Sequence, residues 1–156
     1  MRMSNPIWDF SLTAYQRDGV AAHCLRAQDD LRVDVNVILY AAWLASTDQR
    51  LSFAHLEGLD RSIDEWRRRV VQPLRELRQS LREYDDAAGI RDSVKELELR
   101  GEEQLQNRIW QYYLLAPALV VDKRPLEENL TLVFESIGCD REAWYPLVQS
   151  LLPLLA

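Results

Sequence analysis

Apolar positions recur along most of this chain at intervals of three and four, and one segment departs from that rule. Residues 35–45, Val-Asn-Val-Ile-Leu-Tyr-Ala-Ala-Trp-Leu-Ala, carry no charge and one strongly polar side chain, Asn36. A helix that is apolar on every side must be enclosed by protein or lipid. Eleven helical residues reach only about 16 Å, well short of the ~30 Å of a bilayer core. The segment is therefore read as the buried centre of a folded domain, and Asp34 before it as its N-cap, with Val33 stapling onto Ile38.

The remaining pattern predicts helices on both sides of this centre. Asn5 before Pro6 starts the first, on which Trp8, Leu12 and Tyr15 share a face. A second helix spans 19–31, with Val20, Cys24, Ala27 and Leu31 inward. A short one is expected over 52–59. The clearest amphipathic run covers 62–84, through Ile63, Trp66, Val70, Leu74, Leu77, Leu81 and Tyr84, and Pro73 within it predicts a kink near Arg69. Gly89 reads as a break. Ser93 with Glu96 then reads as a capping box for a helix reaching residue 115, with Val94, Leu97, Gly101, Leu105, Ile109 and Tyr112 inward. Gly101 on that row would let a neighbouring helix come close. Pro125 and Gly138 bracket a helix carrying Leu126, Leu130, Val133, Phe134 and Ile137. Asp140 caps a last one, carrying Trp144, Leu147, Val148, Leu151 and Leu152, which Pro146 bends or restarts. Asp18-Gly19, the one hairpin-type dipeptide, lies between helical patterns. The expectation is an all-α single domain, residues 1–156, of about seven helices packed around the helix at 35–45.

Composition narrows the function classes. With 47% hydrophobic and 28% charged residues the chain is that of a folded protein, and a net charge of −6 disfavours nucleic acid and anionic membranes as partners. Two cysteines, Cys24 and Cys139, make neither a disulfide framework nor a zinc set. Residues 1–6 lack the apolar core of a signal peptide, so a cytoplasmic setting is expected. No cofactor or metal is expected. The apolar C-terminal stretch 144–155 contains two prolines, is too short to span a membrane, and is read as core rather than as a partner-facing patch.

Four groups of residues carry candidate chemistry. Asp29, Asp30 and Asp34 form D-D-x-x-x-D, and hard carboxylate oxygens suit Mg²⁺ on a diphosphate, but capping and a solvated helix end explain them as well. His23 and Cys24 point about 100° apart on a helix and form no dyad alone. His55, Glu57 or Asp60 would have to reach them through folding. Asn36 is read as a buried amide fixing how the second and third helices meet. Residues 61–82 hold seven arginines against three acids, a local charge of +4. With Ile63, Val70, Leu77 and Tyr84 on the inner line, Arg61, Arg68, Arg75 and Arg82 fall on the outermost one, read first as a solvated face whose arginines pair with acids of a neighbouring helix and otherwise as a docking strip for an acidic protein or RNA phosphates. Residues 83–103 reverse the sign, with eight acids against three bases.

Several of these motifs together are similar to those of a small proteobacterial family of about this length, a domain of unknown function. They are Asn5-Pro6-Ile7-Trp8-Asp9-Phe10-Ser11-Leu12 with Tyr15, Cys24-Leu25, Gln28-Asp29, Asp34-Val35-Asn36-Val37 leading to Trp43-Leu44-Ala45, and Trp66-Arg67-Arg68-Arg69-Val70-Val71-Gln72-Pro73-Leu74-Arg75. The resemblance covers residues 5–82. It implies a bacterial origin and brings no catalytic residues. The expected function is a cytoplasmic, non-enzymatic helical adaptor or regulatory protein that binds a protein partner or a second copy of itself. The alternative is a small metal-dependent enzyme or ligand-binding protein built on Asp29, Asp30 and Asp34.

Overall fold

The computed structural model describes residues 4–156; residues 1–3, on which the reading of the N-terminus partly rests, lie outside the described residues. Among the described residues eight α-helices follow one another: α1 (Pro6–Tyr15), α2 (Val20–Leu31), α3 (Val35–Ser46), α4 (Phe53–Trp66), α5 (Gln72–Ser80), α6 (Ala88–Leu115), α7 (Leu126–Ser136) and α8 (Arg141–Leu155). A π-helical stretch, Arg67–Val71, joins α4 to α5 end to end, so the described residues form seven rods. Among the described residues the protein is all-α apart from one small antiparallel ribbon. In it β1 (Gln49–Arg50) pairs with β2 (Val120–Val121), with Gln49 opposite Val121.

The apolar segment is the axis of the molecule. Every residue from 35 to 45 is buried, and α1, α2, α6 and α7 pack around it. Asp34 caps it by accepting the Asn36 N–H at 2.9 Å. Asn36 joins α3 to α6 and α1 rather than to α2. Its Oδ1 accepts from Gln106 Nε2 at 3.0 Å, and the same amide donates to Ser11 Oγ at 3.0 Å. All three residues are buried, where an amide without a partner costs about 1–3 kcal/mol. That bond also explains why α1 turns Ile7, Ser11 and Ala14 inward and leaves Leu12 and Tyr15 exposed, one position away from the expected face.

A second buried amide, Asn129 on α7, holds the link between α3 and α4. Its Oδ1 accepts from Leu51 N at 2.8 Å, while Nδ2 donates to the carbonyls of Gln49 at 3.0 Å and Ala41 at 3.2 Å. Asn129 thereby supplies backbone partners inside the core, where water cannot.

Three boundaries differ from expectation. The predicted break between 59 and 62 is absent, and α4 runs unbroken from its cap, Ser52, whose hydroxyl accepts from His55 N at 3.1 Å. Gly58 in its middle lies under the Tyr112 hydroxyl, which donates to the His55 carbonyl at 2.9 Å, and a Cβ there would overlap that hydroxyl. α6 begins at Ala88, so Gly89 lies inside it. Ser93 is no cap either; its hydroxyl donates back to the Gly89 carbonyl at 3.2 Å. Finally, α8 runs through both Pro146 and Pro153 without interruption and buries Trp144, Leu147, Val148, Leu151 and Leu155 against α2 and α7.

Candidate functional site

The functional candidate forms where α4 passes into α5. Pro73 has no N–H to offer the carbonyl four residues back, at Arg69, and the chain answers by widening. The Gln72 N–H reaches the Arg67 carbonyl five residues back, the π spacing. One extra residue in a turn rotates everything after it by about 100°. Ile63 is therefore buried as expected, whereas Leu77 and Tyr84 on the same heptad line are exposed. The inward positions become Val71, Leu74, Arg75 and Arg78.

This rotation corrects the expected row of four accessible arginines. Arg61 and Arg68 remain on the surface in ion pairs with Glu57 (3.1 Å) and Asp64 (2.9 Å), and Arg82 is exposed. Arg75 is not: its side chain is 16% exposed and lies against α6, with Glu102 at 3.0 Å and Glu98 at 3.4 Å. Arg78, which the heptad placed off the row, shares Glu98 with it. The hydrogen bond to Glu98 holds the Arg78 guanidinium above its ordinary range. Burial pushes the Glu102 carboxyl up, although Arg75 opposes it. Trp66 completes the junction by donating Nε1–H to the Gly101 carbonyl at 2.9 Å.

Beside the π turn lies an open cleft of ≈ 780 Å³. One wall is the end of α2 and the α2–α3 link, the other is α4 through α5, and α7 closes an end. Its floor is apolar, from Val33, Val37, Leu56, Val71, Val133 and Ile137. Arg67 sits at its centre, 15% exposed, with Nε on Asp34 at 2.7 Å and Nη1 on Asp60 at 2.7 Å. Burial works against that charge, but Asp34 and Asp60 outweigh it and raise the guanidinium above its ordinary range. Arg32, at the mouth, adopts the left-handed conformation (φ 58°) as the C-cap of α2, a turn more often made by glycine. Phe53 stands on the lip, 60% exposed.

The other sequence candidates scatter. Asp29 lines the cleft and Asp30 is exposed, while both oxygens of Asp34 are engaged, Oδ1 by the Asn36 N–H and Oδ2 by Arg67. These aspartates do not converge, and the described residues contain no group of three or more His, Cys, Asp or Glu placed to hold a metal ion. Cys24 is buried and its thiol is pushed up to about 12 by burial, so it is no nucleophile at neutral pH. His55 does not meet it. Its Nε2 lies 2.8 Å from the Tyr40 hydroxyl inside an aromatic cluster with Trp43, Tyr112 and Tyr113, and burial lowers its pKa. Glu57 and Asp60 face the cleft, each paired with an arginine.

A family model described as a protein of unknown function (DUF2390) matches residues 6–109. The chain belongs to this family. The match runs past residue 82, where the resemblance read from the motifs ended, and takes in α6 as far as Ile109. It contains every cleft residue named above except Val133 and Ile137 on α7. No curated protein and no solved structure matches the chain. Among the described residues no helix is long and apolar enough to cross a membrane.

Proposed function

We propose that this protein is a non-enzymatic adaptor of the bacterial cytoplasm that takes a segment of a partner protein into the cleft beside the π turn. The observation that carries this reading is the division of labour within the cleft. Its central charges, Arg67 and Arg75, are already neutralised by carboxylates of the same chain. Its floor is apolar and Phe53 projects from its lip. Such a surface keeps its centre free of unpaired charge, the exposed Asp29, Arg32 and Glu76 being the lining charges without an ion pair among the described residues. It suits an apolar anchor residue of an amphipathic segment, as when a helix lies in a groove. The exposed pairs Arg61–Glu57 and Arg68–Asp64 are each worth only ~0–1 kcal/mol, so their arginines can exchange partners with acids on an incoming chain at little cost. Arg82 would extend that contact along the rod, while Arg75 supports the wall from within. Two free cysteines agree with a reducing compartment.

Site-specific photo-crosslinking tests the proposal. A benzophenone side chain at position 53, in cells that express the protein natively, should capture one protein, and the same group at Tyr145 on α8 should not. A Phe53→Asp substitution elsewhere-unmodified in a competing copy should fail to displace that capture, whereas the wild-type protein should displace it. Absence of any crosslink from position 53, or equal displacement by the Asp variant, overturns the cleft as the docking site.

A further inference from the structure

The α5–α6 hairpin carries an apolar strip that the fold leaves uncovered. Leu77 is 47% exposed, Tyr84 60%, Ile90 62% and Leu97 47%. The contact line between the two helices is set by charge and small residues. Arg75 and Arg78 of α5 meet Glu98 of α6, and Gly101 lies near Val71 and Leu74. These pairings descend on one helix as they rise on the other, so the helices are antiparallel.

At about 100° per residue, Leu77 lies roughly 100° to one side of the line through Leu74, Arg75 and Arg78. Ile90, Ser93 and Leu97 lie between roughly 50° and 110° to one side of the line through Val94, Glu98 and Gly101, displaced in the same rotational sense. In an antiparallel pair, equal rotational displacement puts both sets on the same flank. Tyr84 stands at the tip, where α5 ends and the chain turns. This flank is opposite the one bearing Gln72, Glu76 and Gln79, which walls the cleft.

The flank is poor in charge although the hairpin as a whole is rich in it. Two charged residues mark its ends: Asp86, in the turn that leads into α6, and Arg100, seven positions after Ser93 within the helix. Both are exposed, and neither makes an ion pair among the described residues. An apolar centre with acid at one end and base at the other is complementary to itself under a two-fold rotation that turns the hairpin end for end.

We propose that the occupant of this strip is a second copy of the same chain. The two hairpins lie flank to flank about a two-fold axis near Ser93. Ile90 and Tyr84 of one copy face Leu97 and Leu77 of the other, and Asp86 of each meets Arg100 of its partner. From Asp86 to Arg100 the strip is about 20 Å long, which makes a contact below the usual size of a stable interface, so the dimer is expected to form only at raised protein concentration. The cleft stays open in such a dimer, so each copy could take a partner segment independently.

Sedimentation equilibrium of the full chain, from ~1 µM to ~1 mM, reads the dimer directly. Wild type should pass from monomer to dimer across that range. Leu97→Asp should remain monomeric with an unchanged circular dichroism spectrum, since the side chain contributes little to the monomer's core. Asp86→Arg and Arg100→Asp should each weaken the dimer about ten-fold at low salt, and the double reversal should restore it, because the new charges again face each other. A wild-type protein that stays monomeric at ~1 mM overturns the proposal. So does a dimer that Leu97→Asp leaves intact, or single reversals that are neutral or not rescued by the double.

Discussion

The axis helix α3 and the α5–α6 hairpin are held by opposite means. Around α3 every side chain from 35 to 45 is buried, and polar groups there are met within the core, Asn36 by Gln106 and the Tyr40 hydroxyl by His55 Nε2. In the hairpin the buried contact is ionic, Arg75 and Arg78 on Glu98 and Glu102, while Leu77, Ile90 and Leu97 face outward. A hydrophobic core is tolerant of register only when both of its faces are apolar, as α3 is. An amphipathic rod has one register, and a single inserted residue at the π turn moved its apolar line away from the body. The consequence is a surface that remains to be covered and an interior that depends on paired charge.

That contrast predicts a wide spread of mutational effects. The largest should come from α3: Leu44→Ala, at a fully buried position, should lower unfolding stability by about 2–5 kcal/mol. Leu77→Ala in the hairpin should stay within ~0.5 kcal/mol in the monomer, measured by urea denaturation at low protein concentration. Similar losses at both sites would show that the hairpin's outer side chains are as deeply packed as those of α3.

Glu98→Ala should come next, at about 3 kcal/mol, since it leaves two largely buried guanidiniums without their shared carboxylate. Replacing the set with apolar residues, Arg75→Met, Arg78→Met and Glu98→Leu together, should recover most of that loss. A triple variant no more stable than Glu98→Ala would show that the charges do more than satisfy one another.

A smaller effect separates the aromatic cluster. Tyr40→Phe removes the 2.8 Å contact to His55 Nε2 and should cost about 1–2 kcal/mol. Burial lowers the His55 pKa from its ordinary 6.5, so the unfolded chain takes up a proton at a higher pH than the folded one. The stabilising preference for neutral imidazole is full above pH 6.5 and is lost as pH falls below it. The fall in the urea midpoint of the wild type from pH 7 to 5 should shrink in His55→Gln, and equal slopes would argue against His55 as its source.

The smallest change should be favourable. A Cβ at Gly101 would lie 3.7 Å from Leu74 Cδ1 and Val71 Cγ2, ordinary contact, so Gly101→Ala should stabilise α6 by up to ~1 kcal/mol. Destabilisation there would mean that the helices need the closer approach anticipated from the sequence.

Much of the scaffold was readable from local pattern. Asn5, Asp34 and Ser52 all cap as their positions suggest, and the inward residues of α2, α7 and most of α8 follow the expected spacing. The candidate site was readable only in part. Asp34 reads as a cap from its position, yet its second oxygen on Arg67 depends on a residue 33 positions away. Glu98 and Glu102 stand one helical turn apart between Val94 and Leu105, a signal that an ionic face interrupted the apolar row of α6. That signal was outweighed by Leu97, which fits the row as well by spacing and faces outward.

Sequence alone determined that the chain is helical, that residues 35–45 lie at its centre, and where most helices start, because caps, prolines and all-round apolarity act within a turn or two of chain. Tertiary structure decided which face of each amphipathic rod points inward and which arginines meet which acids. The turn at Arg67–Val71 rotates half a rod by about 100° for one residue of difference, and its placement is set jointly by Pro73 and by the partners of Arg67, Arg75 and Arg78 on other helices. Partners that arrive from 20 to 33 positions away leave no periodic trace in the segment they act on, so the outward strip and the sealed arginines became visible only once the helices were packed.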